Sequence, residues 1–298
     1  TSMLKKNLEV YFIENPNDAE KIGNQILVNK RSREDAEKTR LNLKKKLTTS
    51  MDMASRVAKF VDCRSKDTNK RELFIVEGDS ALGACKQARN PDFQAIIPIR
   101  GKILNCLKAD YNRIFKSDII TDLIRVLGCG VEVRTSKTAK DLSSFNLESL
   151  KWNKIILCTD ADVDGFQIRT LLLTMLFRLT PKLIDSGKVF IAESPLYEIN
   201  TKKETYFAYN ESEKEEFIKK IGREKYTVQR SKGLGENEPD MMNFTTMNPA
   251  SRRLIKVMPE DAENTSKMFD ILLGDDLAGR KEYIIENGHL YVDDLDIS

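Results

Sequence analysis

A chain of 298 residues, 40% hydrophobic and 32% charged, has apolar content for one large domain or two smaller ones beneath a highly charged surface, and its net charge of +3 permits a polyanionic partner without demanding one. No apolar run reaches membrane-spanning length and no signal peptide opens the chain. The five cysteines are odd in number and lack CxxC spacing, which argues against a disulfide framework or a zinc site. These features lead us to expect a reduced, cytoplasmic protein with no membrane partner. Thr1-Ser2-Met3 resembles a cloning remnant before an internal start, so a fragment of a longer protein is expected.

From about Leu4 to Lys46 the chain is expected to be helical, interrupted near Pro16. Leu4, Leu8, Tyr11 and Phe12 recur at helical spacing, and Asn17-Asp18 can cap a second helix with Ile22, Ile26 and Leu27 on its apolar face. Lys30, Arg31, Arg33, Lys38, Arg40, Lys44, Lys45 and Lys46 crowd one segment, which a solvated helix face explains as well as nucleic-acid contact does. Thr48 to Arg71 is polar and mixed, a linker or an irregular lead-in. Apolar runs then alternate with helical segments. Leu73 to Val76, Ala95 to Ile99, Lys154 to Cys158 and Lys188 to Ala192 predict strands. Ser117 to Leu127 and Arg169 to Leu183 predict helices, stopped at Gly128 and near Gly187. That alternation predicts an α/β fold with a parallel, doubly wound sheet flanked by helices. Leu196 to Tyr209 reads as a hairpin, Lys225 to Gln229 as a strand, and Pro239 to Asn287 as several short helices. The expected domains are a helical lead-in over 1–47, a metal-binding domain over 48–195, and a hairpin with a mostly helical tail over 196–298.

Asp160-Ala161-Asp162-Val163-Asp164-Gly165 places carboxylates on alternate residues directly after an apolar strand. In extended chain these would share one face, and their repulsion calls for a divalent cation; hard oxygen donors suit Mg²⁺, with Mn²⁺ as an alternative. Ligand sites of open α/β sheets also lie beyond the carboxyl ends of the strands. A calcium loop of the EF-hand type shares the D-x-D-x-D-G pattern, but its twelfth position needs a bidentate Glu and here holds Leu171, and a strand rather than a helix precedes it. Glu77-Gly78-Asp79-Ser80 closes another predicted strand. Alone it is explained equally well as a helix cap; paired with the aspartates it could converge on one metal.

This combination resembles the TOPRIM domain shared by topoisomerases, primases and some nucleases. An ordered series narrows the resemblance: Glu77 to Ala81, Pro98 to Asn105, Leu127 to Gly130, Thr159 to Gly165, Ile168 to Thr174, Pro195 to Tyr197, Lys232 to Glu236 and Met247 to Arg253. The set is similar to the B subunits of type II topoisomerases, bacterial DNA gyrase and topoisomerase IV, from about residue 8 onward. The resemblance implies that Glu77, Asp160 and Asp162 are catalytic acids, that Asp164 completes the metal site, and that Glu77 shuttles a proton to the leaving 3′ oxygen. It also implies that Arg100, Lys102, Arg169 and Lys232 lie near double-stranded DNA, with Asp79, Ser80 and Gln167 beside the site. The attacking tyrosine would come from an A subunit in an A2B2 assembly. Gly233 to Glu236 lacks the pattern of a phosphate-binding loop, so ATP is expected to bind only in the full-length protein, upstream of this chain.

The sequence departs from the family pattern at Phe166-Gln167, where Ser-His is usual, and at Ser231, where Tyr is usual. Gln167 can donate and accept hydrogen bonds but cannot titrate. Two alternatives follow: a DNA-binding or assembly module that has lost catalysis, and a stand-alone TOPRIM nuclease or primase metal domain. The motifs from Lys232 onward argue against the second alternative.

Overall fold

Strands buried on both faces read as continuous apolar runs, because neither face can be polar. The computed structural model, which describes residues 2–30, 57–132, 145–230, 233–259 and 262–290, lays these runs side by side. Strands β1 (Glu72–Glu77), β2 (Gln94–Ile99), β3 (Lys154–Cys158) and β4 (Val189–Ala192) pair in parallel in the order β2-β1-β3-β4. Leu73, Phe74, Ile75, Val76, Ile155, Ile156 and Leu157 are all 0% exposed, so neither face of the central strands meets water. The fold is the expected α/β arrangement of a mixed, mainly parallel sheet flanked by helices.

The chain divides into two units. In residues 1–50, helix α1 (Ser2–Glu14) is followed by helical backbone over 16–30. The break is at Asn15, whose carbonyl accepts from Asp18 and Ala19, two residues before the expected cap. Pro16 explains this: its fixed φ and missing N–H suit the first position of a helix. Leu8, Tyr11, Ile22, Ile26 and Leu27 are exposed. The basic run from Arg31 to Lys46 lies outside the described residues.

In the unit of residues 51–298, the described stretch before β1, residues 57–71, packs more closely than its polarity suggests. Val57, Cys63 and Arg71 are buried, and Val61 bridges to Ile96. Helix α2 (Gly78–Ala88) packs Ala81, Ala84, Cys85 and Ala88 against Phe74, Val76, Ile96, Ile156 and Cys158 on one face of the sheet. Helix α3 (Asp118–Leu127) buries Ile120, Leu123, Ile124, Val126 and Leu127 and stops at Gly128, whose φ of 80° is costly for any residue with a Cβ. Trp152, the sole tryptophan, donates from Nε1 to the Val126 carbonyl at 2.7 Å and carries the Arg71 guanidinium over its ring.

Helix α4 (Val163–Leu179) begins six residues before the expected Arg169 and ends before Pro181. Asp162 caps it, and a proline cannot continue it; a separate short helix covers Pro181–Asp185. Strands β5 (Tyr197–Thr201), β6 (Thr205–Ala208) and β7 (Tyr226–Arg230) form an antiparallel sheet in the order β6-β5-β7, with helix α5 (Glu211–Ile221) between β6 and β7. A strand that no apolar run announces, β8 (Leu254–Lys256), pairs antiparallel with β4 and closes the main sheet. Helices α6 (Ala262–Leu273) and α7 (Leu277–Asn287) follow. No helix among the described residues is long and apolar enough to cross a membrane, and all five cysteines are free and buried.

Candidate functional site

Because β1 and β3 are parallel neighbours with Val76 beside Cys158, the residues after both strands leave from the same sheet edge. Glu77 and Asp160 meet there: the Asp160 N–H donates to Glu77 Oε2 at 3.2 Å. Asp160 Oδ1 in turn accepts from the Leu234 N–H at 2.8 Å. Asp162 has extended backbone and serves as the N-cap of α4, its Oδ1 accepting from the Gly165 N–H at 2.7 Å. Gly165 is required by space, since a Cβ there would lie 2.1 Å from the Asp160 carbonyl oxygen.

The helix therefore starts inside the carboxylate motif. Asp164 lies in the first turn of α4, not on an extended strand, and its Oδ1 is 2.7 Å from Lys102 Nζ. Alternation along a strand thus does not describe how the aspartates are arranged. Among the described residues, no three His, Cys, Asp or Glu side chains form a ready-made metal cage. The Glu77–Asp160 pair is the assembled part, with Asp162 and Asp164 close enough for their charges to act on it.

The electrostatics follow from that packing. Burial pushes the Glu77 carboxyl above the ordinary glutamate range; the hydrogen bond from Asp160 opposes the rise, and the charges of Asp160, Asp162 and Asp164 reinforce it. Burial likewise raises Asp160, opposed by the Leu234 N–H and reinforced by Asp162 and Glu236. Half-buried carboxylates destabilised by each other's charge are what a divalent cation relieves. Mg²⁺ in particular binds through one or two carboxylates and keeps several waters, so the donor set fits it.

A Toprim domain model matches residues 72–194, and a model of the DNA gyrase B subunit carboxyl terminus matches residues 223–285. The DNA gyrase B subunit of Thermotoga maritima is 40% identical over 297 residues, which is 100% of this chain and 45% of that protein. The DNA gyrase B subunit of Archaeoglobus fulgidus is 43% identical over 95% of this chain and 42% of its own length. This chain belongs to the B subunits of type II topoisomerases. It spans less than half the length of these relatives.

Among the described residues of this B-subunit chain, the cations expected beside the site are already engaged. Arg100 lies 3.3 Å from Asp79 Oδ2, and Lys59 binds the same oxygen. Asp79 is thus not a helix cap: Lys59 first, then Arg100, holds its carboxyl below the ordinary range. Arg169 donates from Nε and Nη2 to Thr159 Oγ1 at 3.3 and 3.2 Å and lies over the Phe166 ring. Ser80 and Gln167 are exposed in the opening turns of α2 and α4. Lys232 lies outside the described residues, as does Ser231. Sequence reasoning missed Lys59, Thr159, Leu234 and Glu236. Thr159 stands in the Thr159 to Gly165 motif and Leu234 and Glu236 in the Lys232 to Glu236 motif, but neither motif gave them a role; Lys59 carried no signal.

Proposed function

We propose that this chain is the DNA cleavage–religation part of an ATP-dependent type II topoisomerase, changing DNA topology by double-strand passage. The observation that carries the reading is the Glu77–Asp160 contact at the carboxyl ends of adjacent parallel strands, with both carboxyls raised. Glu77 and Asp160 would hold Mg²⁺ or Mn²⁺, with Asp162 and Asp164 contributing through their charge. A bound divalent ion supplies Lewis-acid stabilisation of charge on a phosphodiester. Glu77, whose carboxyl is raised above the ordinary range, is placed to take up a proton and deliver it to a leaving 3′ oxygen. Arg100, Lys102 and Arg169 offer charge to the phosphate backbone, which fixes register without reading sequence.

The attacking tyrosine would be supplied by an A subunit, in an A2B2 assembly in the cytoplasm, and ATP would bind in the full-length protein only. The deciding experiment is cleavage of supercoiled plasmid in Mg²⁺, with and without the cognate A subunit. Double-strand cleavage that needs both chains and the metal is expected. Metal-dependent DNA binding without cleavage would instead favour a module that has lost catalysis. Nicking by this chain alone would favour a stand-alone nuclease.

A further inference from the structure

The segment after β7 reaches back across the molecule to the acidic site. Leu234 is 1% exposed, seated in the core with Phe74, Val76, Ala81 and Met242, so its backbone is fixed in place. From there its N–H reaches Asp160 Oδ1 at 2.8 Å, across 74 residues of sequence. The flanking glycines allow the approach. A Cβ on Gly235 would lie 2.6 Å from the Ser80 Cβ, and a Cβ on Gly233 would lie 3.2 Å from Asp160 Oδ2. The backbone at Gly233, with φ −151° and ψ 150°, is open to any residue, so only the space over Oδ2 constrains that position.

We propose that residues 233–235 are a positioning clamp for Asp160: the Leu234 N–H fixes one carboxylate oxygen, and the missing side chain at Gly233 leaves the other open to a divalent cation. The inference rests on the metal reading given above. A loop that only packed against the core would need the Leu234 side chain. It would need neither a backbone donor aimed at a carboxylate nor a glycine where a Cβ would crowd that carboxylate's second oxygen. Outer partners that orient a metal-binding carboxylate have a measurable effect on affinity even though they never touch the ion. The clamp also lies outside the Toprim match at 72–194 and inside the carboxyl-terminal match at 223–285, so the two segments would build one site between them.

The test uses this chain and Mn²⁺ alone as the probe, with free Mn²⁺ followed by electron paramagnetic resonance and folding followed by Trp152 fluorescence. Gly233→Ala is expected to fold as the parent does and to bind Mn²⁺ roughly 10-fold more weakly, because the added methyl crowds Oδ2, an effect at the low end of those seen when the surroundings of a metal-binding carboxylate are disturbed. The second readout is amide hydrogen exchange at Leu234, expected to be faster in Asp160→Ala than in the parent. Mn²⁺ binding by Gly233→Ala at parental affinity would overturn the clamp and leave the metal reading standing. So would Leu234 exchange unchanged in Asp160→Ala. A parent chain that binds no Mn²⁺ would overturn the metal reading and the clamp together.

Discussion

Glu72 and Arg252, 180 residues apart in sequence, form a buried two-pronged ion pair, Arg252 Nη1 to Glu72 Oε2 at 2.7 Å and Nη2 to Oε1 at 2.5 Å, with both side chains 4% exposed. Gln94 Nε2 donates to Glu72 Oε2 and to the Met247 carbonyl, and Lys154 lies 3.3 Å from Glu72 Oε1. The network ties the first residue of β1 to the segment leading into β8, and so holds the carboxyl-terminal region against the sheet that carries Glu77. Removing one partner of such a pair strands a buried charge, at a cost of about 3–5 kcal/mol. Arg252→Met should therefore lower the unfolding free energy, obtained from urea titrations read by Trp152 fluorescence, by an amount in that range. Glu72→Leu combined with Arg252→Met should recover much of the loss, since an apolar replacement of the pair leaves no fully buried charge without a partner, only the partly exposed Lys154. A double variant less stable than Arg252→Met would contradict this account.

The same carboxylate sets an acid limit. Burial alone would raise Glu72, but hydrogen bonds from Arg252 and Gln94, with the charges of Arg252 and Lys154, more than offset it, and its carboxyl ends below the ordinary value near 4.5. A depressed folded value means that the ionised form favours the fold. Its contribution is fully present above the unfolded value and is lost as pH falls from there through the folded one. Many other carboxylates titrate in that range, so the informative quantity is the difference between parent and Glu72→Gln. The stability gap between the two should be constant above about pH 5.5 and shrink as pH falls below about 4.5. A gap that widened on acidification would reverse the sign.

How much of this could be read in the sequence depended on distance along the chain. The four parallel strands were legible because each is an unbroken apolar run, as burial on both faces demands of β1 and β3, and α3 because Gly128 marks its end. Glu77 and Asp160 were legible as a pair because parallel neighbours deliver their carboxyl ends to one edge. Strand β8 was not: it has three residues, two of them exposed, and exists by backbone pairing with β4. The capping role of Asp162 moved the start of α4 into the motif and took Asp164 off the expected face. Contacts such as Lys59 on Asp79, Leu234 on Asp160 and Arg252 on Glu72 join residues whose local patterns say nothing about one another.

Asp79 shows the largest gap between local pattern and tertiary role. As a helix cap it would have supported α2, so Asp79→Asn would have cost stability. In the structure it is exposed and pairs with Lys59 and Arg100, and exposed pairs contribute little. Asp79→Asn should leave the urea midpoint nearly unchanged. It should tighten duplex DNA binding, because two cations lose their carboxylate partner beside the site. Fluorescence anisotropy with a short duplex at several salt concentrations would measure this. Weaker binding in Asp79→Asn would show that the carboxylate orders those cations for DNA instead of occupying them.

Lys102 gives the sharpest separation of metal from DNA effects. Its Nζ lies 2.7 Å from Asp164 Oδ1, and the two side chains are 48% and 64% exposed, so the pair is solvated and adds little to stability. Replacing Lys102 with alanine removes a cation available to phosphate and at the same time leaves Asp164 unneutralised. The consequences for the two ligands have opposite signs. Mn²⁺ should bind Lys102→Ala more tightly, because the acidic cluster loses a neutralising cation. Duplex DNA should bind more weakly, and the dependence of affinity on salt should fall by about one ion released. Both are measurable on the same preparation, by Mn²⁺ titration and by anisotropy across a salt series. If Lys102→Ala lost Mn²⁺ affinity together with DNA affinity, Lys102 would be holding Asp164 in place for the metal, and its charge would not be competing with the ion.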